Sequence, residues 1–502
     1  MKCYRYVLKR DSCKNIENET VGMSTKVTLI VYIVIVTLFS GCHPENKAMD
    51  FLLSNRYLYD YAEKALVDSM GNIVSYSPYD YETLYNAEDT LELLTIFNAV
   101  YVKNLTDETL VTEDFIEAHV EEMLEKWRTS PYYDQLSWNE FLEYWLPYRA
   151  DGEKFSDYYE VLSERYAPIR DSLQEGKSIV EVTNLLEKEL RTWLKFDLRA
   201  HALLNKPSIL ETIKSRKGGC NTLTEFVCMA LRTIGIVAAI DECPVWAHRN
   251  SGHQWNVVRA ESGKWLPFNG GEDLIGEFKA INDSVKAPKI YRKQFSSNPS
   301  FAPVVPMEEI PGLFLNDRRR DVTSQYVQTA DVTVSPEIER TDSILYLAVF
   351  NDEQWKIVAW STLQDGKATF LSMRCNDIVY LPVYYQQKIL LPAGNPFILH
   401  ADGTRTVLNV DPTQRTDRIL ENTNVMFDSK WMKAKAAIGR ELKLYYWDNE
   451  WILCDTYVMR EDKIIRFKNI PKNGLYLING TGWDNTWQRI FTLDADGEQR
   501  WY

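Results

Sequence analysis

Cys220 follows Lys217-Gly218-Gly219 and opens a stretch in which Leu223, Phe226, Val227, Ala230, Leu231 and Ile234 recur at the spacing of one buried helix face. A helix that begins at the cysteine aims the unpaired N–H groups of its first turn, and the positive end of its dipole, at the sulfur. Both favour a thiolate, so the thiol pKa is expected to be lowered. About thirty residues on, Gly252-His253-Gln254-Trp255-Asn256-Val257-Val258 alternates like a strand. A thiol and an imidazole are the two parts of nucleophilic catalysis, in which sulfur attacks a carbonyl while the ring takes and returns the proton.

The elements around them must bring the two together. The histidine strand reads as the first arm of a hairpin, with a turn at Arg259-Ala260-Glu261-Ser262-Gly263 and a return along Lys264-Trp265-Leu266-Pro267-Phe268-Asn269. Pairing Val258 with Lys264 sets His253 opposite Asn269, whose amide oxygen would hold the second ring nitrogen. A slip of one residue would bring Glu272 and Asp273 into competition for that role. Gly218 and Gly219 are expected to let the chain enter the helix in a conformation closed to other residues, and Gly219 to let a substrate backbone approach. Cys228, eight residues on and about 80° around the helix, reads as a core thiol. His248 is an alternative base in a polar run without a strand pattern.

This series resembles the transglutaminase-like superfamily, whose Cys–His–Asp core is related to the papain fold. The likeness runs from Arg216 to about Asp273, roughly a tenth to an eighth of the chain. It rests on a cysteine that starts a helix after a Gly-containing turn, a strand such as Ile236-Val237-Ala238-Ala239-Ile240, and a histidine that starts a strand with an aromatic, Trp255, two residues later. Where the family usually has Trp-x-Pro-x-Asp, this sequence has Trp265-Leu266-Pro267-Phe268-Asn269, so Asn stands in place of Asp. The resemblance implies a Cys220–His253–Asn269 triad, the Cys220 N–H in an oxyanion hole, no cofactor, and a peptide, protein or cell-wall amide as substrate. Gly219 and Trp255 are candidate substrate contacts. Leu146-Pro147-Tyr148-Arg149, followed by Glu153, resembles a segment upstream of the core in exported Bacteroidetes-type members, which makes Arg149 a third.

The 502 residues suffice for several domains, and 45% hydrophobic content supports real cores. Residues 23–41 read as a secretory signal, with Lys26, an apolar run from Val27 to Phe39, and Leu38-Phe39-Ser40-Gly41-Cys42 at its end. That ending resembles a bacterial lipoprotein box in which Cys42 becomes the lipidated first residue. The expected location is therefore the cell envelope, anchored in the outer membrane by lipid alone. Residues 1–22 read as an upstream extension and 42–49 as a tether. Removing residues 1–41 takes away six basic and three acidic side chains and moves the net charge from −14 to −17, which argues against nucleic-acid binding. Cys220, Cys228, Cys243, Cys375 and Cys454 are too widely spaced for a disulfide scaffold. No metal-ligand spacing or phosphate loop occurs.

The fold expected is multidomain α+β. Residues 50–204 form a helical domain, with helix starts at Thr112 and at the Ser137/Glu140 capping box; 205–295 form the transglutaminase-like core, and 296–331 a linker whose Arg318-Arg319-Arg320 run reads as a solvated face. Two antiparallel β-sandwich repeats follow at 332–415 and 416–502. An offset of 96 places Phe350 on Tyr446, Asp352 on Asp448, Trp355 on Trp451, Tyr380 on Tyr476 and Leu381 on Leu477. Apolar and polar residues are expected to alternate in their strands. A second functional reading keeps the fold without the chemistry: a degenerate surface lipoprotein whose repeats bind a glycan or glycopeptide through exposed tryptophans.

Overall fold

The computed structural model describes residues 43–67, 70, 73–75, 98–197, 205–303, 308–420, 423–427, 430–434, 438–462, 464–480, 487–494 and 496–502. At its centre is helix α1 (Cys220–Thr233), in which every residue from Thr222 onward is buried. A helix buried on all sides needs more than one partner layer, and it has two. On one side is a five-stranded antiparallel sheet, ordered β5 (Arg319–Asp321), β4 (Tyr291–Lys293), β1 (Ala238–Cys243), β2 (His253–Arg259), β3 (Trp265–Phe268). On the other are N-terminal helices, including Ile179–Trp193 and Tyr159–Arg165.

Helix α1 stops at a Schellman turn. Gly235 has φ +94°, its N–H donates to Arg232 O at 3.1 Å, and the Ile236 N–H donates to Leu231 O at 2.9 Å. The chain then turns straight into β1, which keeps the cysteine end of the helix beside the histidine end of the sheet.

The N-terminal segment is not wholly helical. Thr112 and Ser137 cap helices Glu113–Thr129 and Trp138–Tyr144 as their side chains predict. Strands Asp60–Val67, Ile73–Ser75 and Asn98–Thr106, however, form an antiparallel sheet. Tyr61 and Ala65 are buried while Asp60, Ala62 and Lys64 are exposed, a period of two that suits a strand. Nor is the segment a separate body: Leu52, Ile116, Phe141 and Leu186 share one apolar core with Phe226, Leu231, Ile240 and Val257.

The stretch expected to be a linker is built into this body. Arg318 is buried with its guanidinium 3.9 Å from the centre of the Tyr59 ring, and Arg319 pairs with Glu242 at 2.5 Å; only Arg320 is exposed. The run reads as solvated only when its partners, which come from distant parts of the chain, are out of view.

The C-terminal strands form two units of matching topology. The larger sheet of the first is ordered 354–362, 344–351, 378–386, 397–399, 405–407, and that of the second 451–458, 441–447, 475–480, 490–493, 499–501. Each unit adds a two-stranded sheet, Thr329–Val334 with Ala368–Arg374 and Asp411–Leu420 with Ile465–Lys472. The alternation expected of the strands fails at Ile344–Asn351, which is buried throughout. Leu345, Leu347 and Val349 face the first unit's own core, whereas Tyr346, Ala348 and Phe350 face a second cluster containing Trp447, Leu477 and Ile490 of the other unit. Trp355, Trp447 and Trp451 pack edge-on at this junction, Trp447 buried and the other two half-buried, and so help to hold the units together.

Candidate active site

Cys220 is the first residue of α1, behind Gly219 as N-cap. Gly219 has φ −74° and is buried, so it is neither strained nor open to a substrate backbone. Gly218 is needed for space: a Cβ there would lie 2.6 Å from Thr222 Cβ and 2.9 Å from Leu223 Cδ1, within the helix's own first turn. The Cys220 thiol is half-buried and donates to Asn221 Oδ1 at 3.6 Å. The main-chain N–H groups of Gln254, Asn221 and Cys220 itself, and the positive charge of Lys293, act to lower the thiol pKa. These would stabilise a thiolate, but burial outweighs them and leaves the thiol pKa above its ordinary value. The expectation of a lowered pKa is thus overturned by desolvation. The influence of the Gln254 N–H on the thiol links Cys220 to the residue that follows His253.

His253 opens β2, with its ring stacked on Trp246 at 6.5 Å. Its Nε2 lies 2.9 Å from Asn269 Oδ1. An amide oxygen only accepts, so Nε2 carries the proton and Nδ1 is the basic atom. Burial holds the imidazole pKa below its usual value; the Asn269 bond and the charge of Asp273 act in the opposite direction. Both shifts favour the uncharged forms of the thiol and the imidazole.

The hairpin differs from the predicted register. Val258 pairs with Leu266, and Arg259 with Trp265, two residues along from the expected pairing of Val258 with Lys264. An even shift keeps every side chain on its face, so Asn269 still lies on the histidine side, now diagonal to His253. Asp273 does not compete with it. Asn269 Nδ2 donates to Asp273 Oδ2 at 2.5 Å, and the Asp273 N–H returns to Asn269 O at 2.8 Å. That bond turns the amide so that its oxygen faces His253 and sets a carboxylate one residue behind it.

The loop is held from below. Gly270 touches the buried Asn256 so closely that a Cβ would come 2.2 Å from its Oδ1, and Gly271 has φ +77°. The Gly271 N–H donates to Glu187 Oε2 at 2.7 Å, and the Ile275 N–H to Asn184 Oδ1 at 2.8 Å, both from helix Ile179–Trp193. Behind Gln254, its amide donates to Glu242 Oε2 at 3.0 Å, and Glu242 lies 3.5 Å from Lys293.

Residues 170–270 match the family model of the Transglutaminase-like superfamily. The core belongs to that superfamily. No curated protein matches the chain. Among solved structures, a protein of Cytophaga hutchinsonii described as a candidate cysteine protease is 14% identical over 24% of this chain and 41% of its own, with a TM-score of 0.19. The red sea bream transglutaminase is 8% identical over 86% of this chain and 76% of its own, also at 0.19. The chain thus spans about two fifths of the Cytophaga protein, and likenesses at these scores carry no argument.

The transglutaminase-like core corrects two of the proposed substrate contacts. Trp255 is fully buried, donating from Nε1 to Tyr326 Oη at 2.9 Å and packing on Phe278. Arg149 is buried too, paired with Asp107 and donating to Glu153 O. Both side chains are held in the interior by these protein partners. His248 accepts from the Lys286 N–H at Nδ1 (3.2 Å) and lines a different cavity. Cys228 is the core thiol expected, donating to Ala238 O at 3.5 Å with its pKa pushed up to about 11 by burial. All five cysteines among the described residues are free, and no cluster of His, Cys, Asp or Glu there could hold a metal. Cys42 and the apolar run before it lie outside the described residues; among these no helix is long and apolar enough to cross a membrane.

Sequence reasoning missed Asn221, the Gln254 N–H and Asp273's place behind Asn269. Asp273 was in view as a rival, but only the main-chain turn from Asn269 to Asp273 puts it in line.

Proposed function

We propose that the chain is a cysteine acyl-transfer enzyme acting on an amide carbonyl of a peptide or protein, with Cys220 as nucleophile, His253 as base and Asn269 as its orienting partner. The observation that carries this is the Nε2–Oδ1 bond of His253 and Asn269, which leaves a basic Nδ1 on a residue next to Gln254, whose main-chain N–H acts to lower the Cys220 thiol pKa. The shifts toward uncharged forms imply that the thiol proton moves to Nδ1 as sulfur attacks, not before. The Cys220 N–H, which at the helix start has no carbonyl partner within the helix, is a donor for the developing oxyanion. His253 then returns the proton to the leaving amine. Water as the second acceptor makes the enzyme a peptidase or amidase, an amine makes it a cross-linker. Export and anchoring through Cys42 belong to the same reading and rest on the sequence alone. So does the view of the C-terminal units as antiparallel β-sandwich repeats.

The test is site-selective alkylation of the thiol. A peptidyl vinyl sulfone, followed by mass spectrometry, is expected to modify Cys220 at least tenfold faster than Cys454, the other half-exposed thiol among the described residues. His253→Ala should bring Cys220 down to the rate of Cys454. Equal rates at the two thiols in the unaltered chain, or a Cys220 rate indifferent to His253→Ala, overturns the proposal.

A further inference from the structure

The loop that runs from β1 to His253 sets a cation beside the candidate base. Trp246 is buried, and its ring stacks on that of His253 with centroids 6.5 Å apart. Arg249 Cζ lies over the same indole, 4.6 Å from its centroid. The loop is pinned: the Trp246 N–H donates to Ser251 O at 3.1 Å, the Asn351 amide to Arg249 O at 2.8 Å, and the Asp352 N–H to Asn250 Oδ1 at 3.0 Å. Arg249 itself is half-buried, and its Nε is buried with no hydrogen-bond partner. Among the described residues no Asp or Glu side chain pairs with it; burial lowers its pKa, and only the Cys243 thiol opposes this. Other charges at the site are taken up. Lys293, which acts on Cys220, pairs with Asp151 and Glu242, and Asp273, which acts on His253, is bonded to Asn269. The charge of Arg249 also reaches His253, where it disfavours the imidazolium.

We propose that Arg249 is a specificity residue that binds a carboxylate of the substrate close to the scissile amide. This rests on the acyl-transfer reading of Cys220 and deepens it by naming the charge of the substrate. A guanidinium that lies over an indole uses its face there and keeps its N–H edge for a partner, and a carboxylate takes two such N–H groups side by side. An uncompensated cation near the base works against proton transfer from the thiol. A bound carboxylate cancels that charge, so a substrate of the right kind makes His253 more basic just when it must accept the proton, and the gain appears in the rate as well as in binding. The carboxylate has two sources: an acidic side chain on the acyl side of the amide, or the terminal carboxylate of the leaving residue.

Two pairs of vinyl sulfones of matched shape separate these sources on the full chain. The first pair is acetyl-Ala-Glu against acetyl-Ala-Gln methyl vinyl sulfone. The second is acetyl-Ala-Ala vinyl sulfone with carboxymethyl against carbamoylmethyl on the sulfone. In at least one pair the carboxylate probe should label Cys220 at least tenfold faster than its amide twin, and the pair that does so identifies the source. Arg249→Gln should bring that ratio to within twofold of one, and Arg249→Lys should keep it above threefold. A variant that merely disturbs the loop slows both twins and leaves their ratio where it was, which overturns the proposal. So does a ratio near one for both pairs in the unaltered chain. The amide twins alone test the acyl-transfer reading, through Cys220 against Cys454 and through His253→Ala, so the two failures are distinguished.

Discussion

At the scale of residues, the difference from the family pattern is where the negative charge sits. The resemblance leads one to expect a carboxylate on the histidine. Here an amide touches the ring and the carboxylate of Asp273 stands one bond further back, at 2.5 Å from Asn269 Nδ2. Asn269→Asp alone should therefore not raise activity, because it removes an N–H donor and sets two carboxylates face to face. Asp273→Asn alone should lower Cys220 labelling about tenfold, equivalent to about 1.4 kcal/mol. It also removes a charge that raises the His253 pKa, so the acid limb of the pH–rate profile should move to lower pH, the base being neutral over a wider range. Combining Asn269→Asp with Asp273→Asn restores one carboxylate and one amide in exchanged places and should recover most of the rate. A double variant no better than the worse single one would show that Asp273 acts only as a structural brace. A second residue-scale expectation concerns pH: with the thiol pKa raised by burial, Cys220 in the free enzyme should gain alkylation rate with simple iodoacetamide only as pH rises through the range above 9, rather than below 8.

At the scale of elements, the parts legible in the sequence were those set by local pattern. The helix face from Leu223 to Ile234 and the alternation of the histidine strand both follow from side-chain period, and both elements appear where expected. Hairpin register was less legible, since a loop closed by the Ala260 N–H to Lys264 O bond differs from a tighter turn by a choice the sequence leaves open. Partners distant in sequence were not legible at all: the Arg318 and Arg319 contacts, the burial of Arg149, and the hold of Glu187 on the Asn269 loop. Burial pushes the Glu187 carboxyl up to about 8, and it accepts from the Gly271 N–H. A carboxyl whose folded pKa is raised contributes stability that is fully present below its unfolded value of about 4.3 and is lost as pH rises toward 8. Urea midpoints of the unaltered chain should fall between pH 5 and pH 8 relative to Glu187→Gln, which keeps an acceptor but cannot ionise. Parallel curves for the two would mean that Glu187 is already charged in the fold.

At the scale of the whole molecule, the β units are part of what positions the histidine. Asn351, at the end of strand Ile344–Asn351, is fully buried and its amide donates to Trp246 O and Arg249 O, each at 2.8 Å, and to Ser251 O at 3.0 Å. The Asp352 N–H adds a bond to Asn250 Oδ1 at 3.0 Å, and Val245 and Ala247 sit in the first unit's apolar core. The segment so held ends at Gly252, where any side chain would meet Pro244 O at 2.4 Å, and it carries Trp246, the ring that stacks on His253. Asn351→Ala removes the donor from three carbonyls, of which that of Trp246 is buried, a loss of about 1–3 kcal/mol. The cost should fall on placement of His253 more than on the core. Hydrogen exchange should rise across residues 246–252 while helix Cys220–Thr233 stays protected, and Cys220 labelling should slow about tenfold. Unchanged exchange in 246–252 together with an unchanged labelling rate would mean that the loop holds its shape without the β units. Slower labelling with uniformly faster exchange would point instead to a general loss of stability.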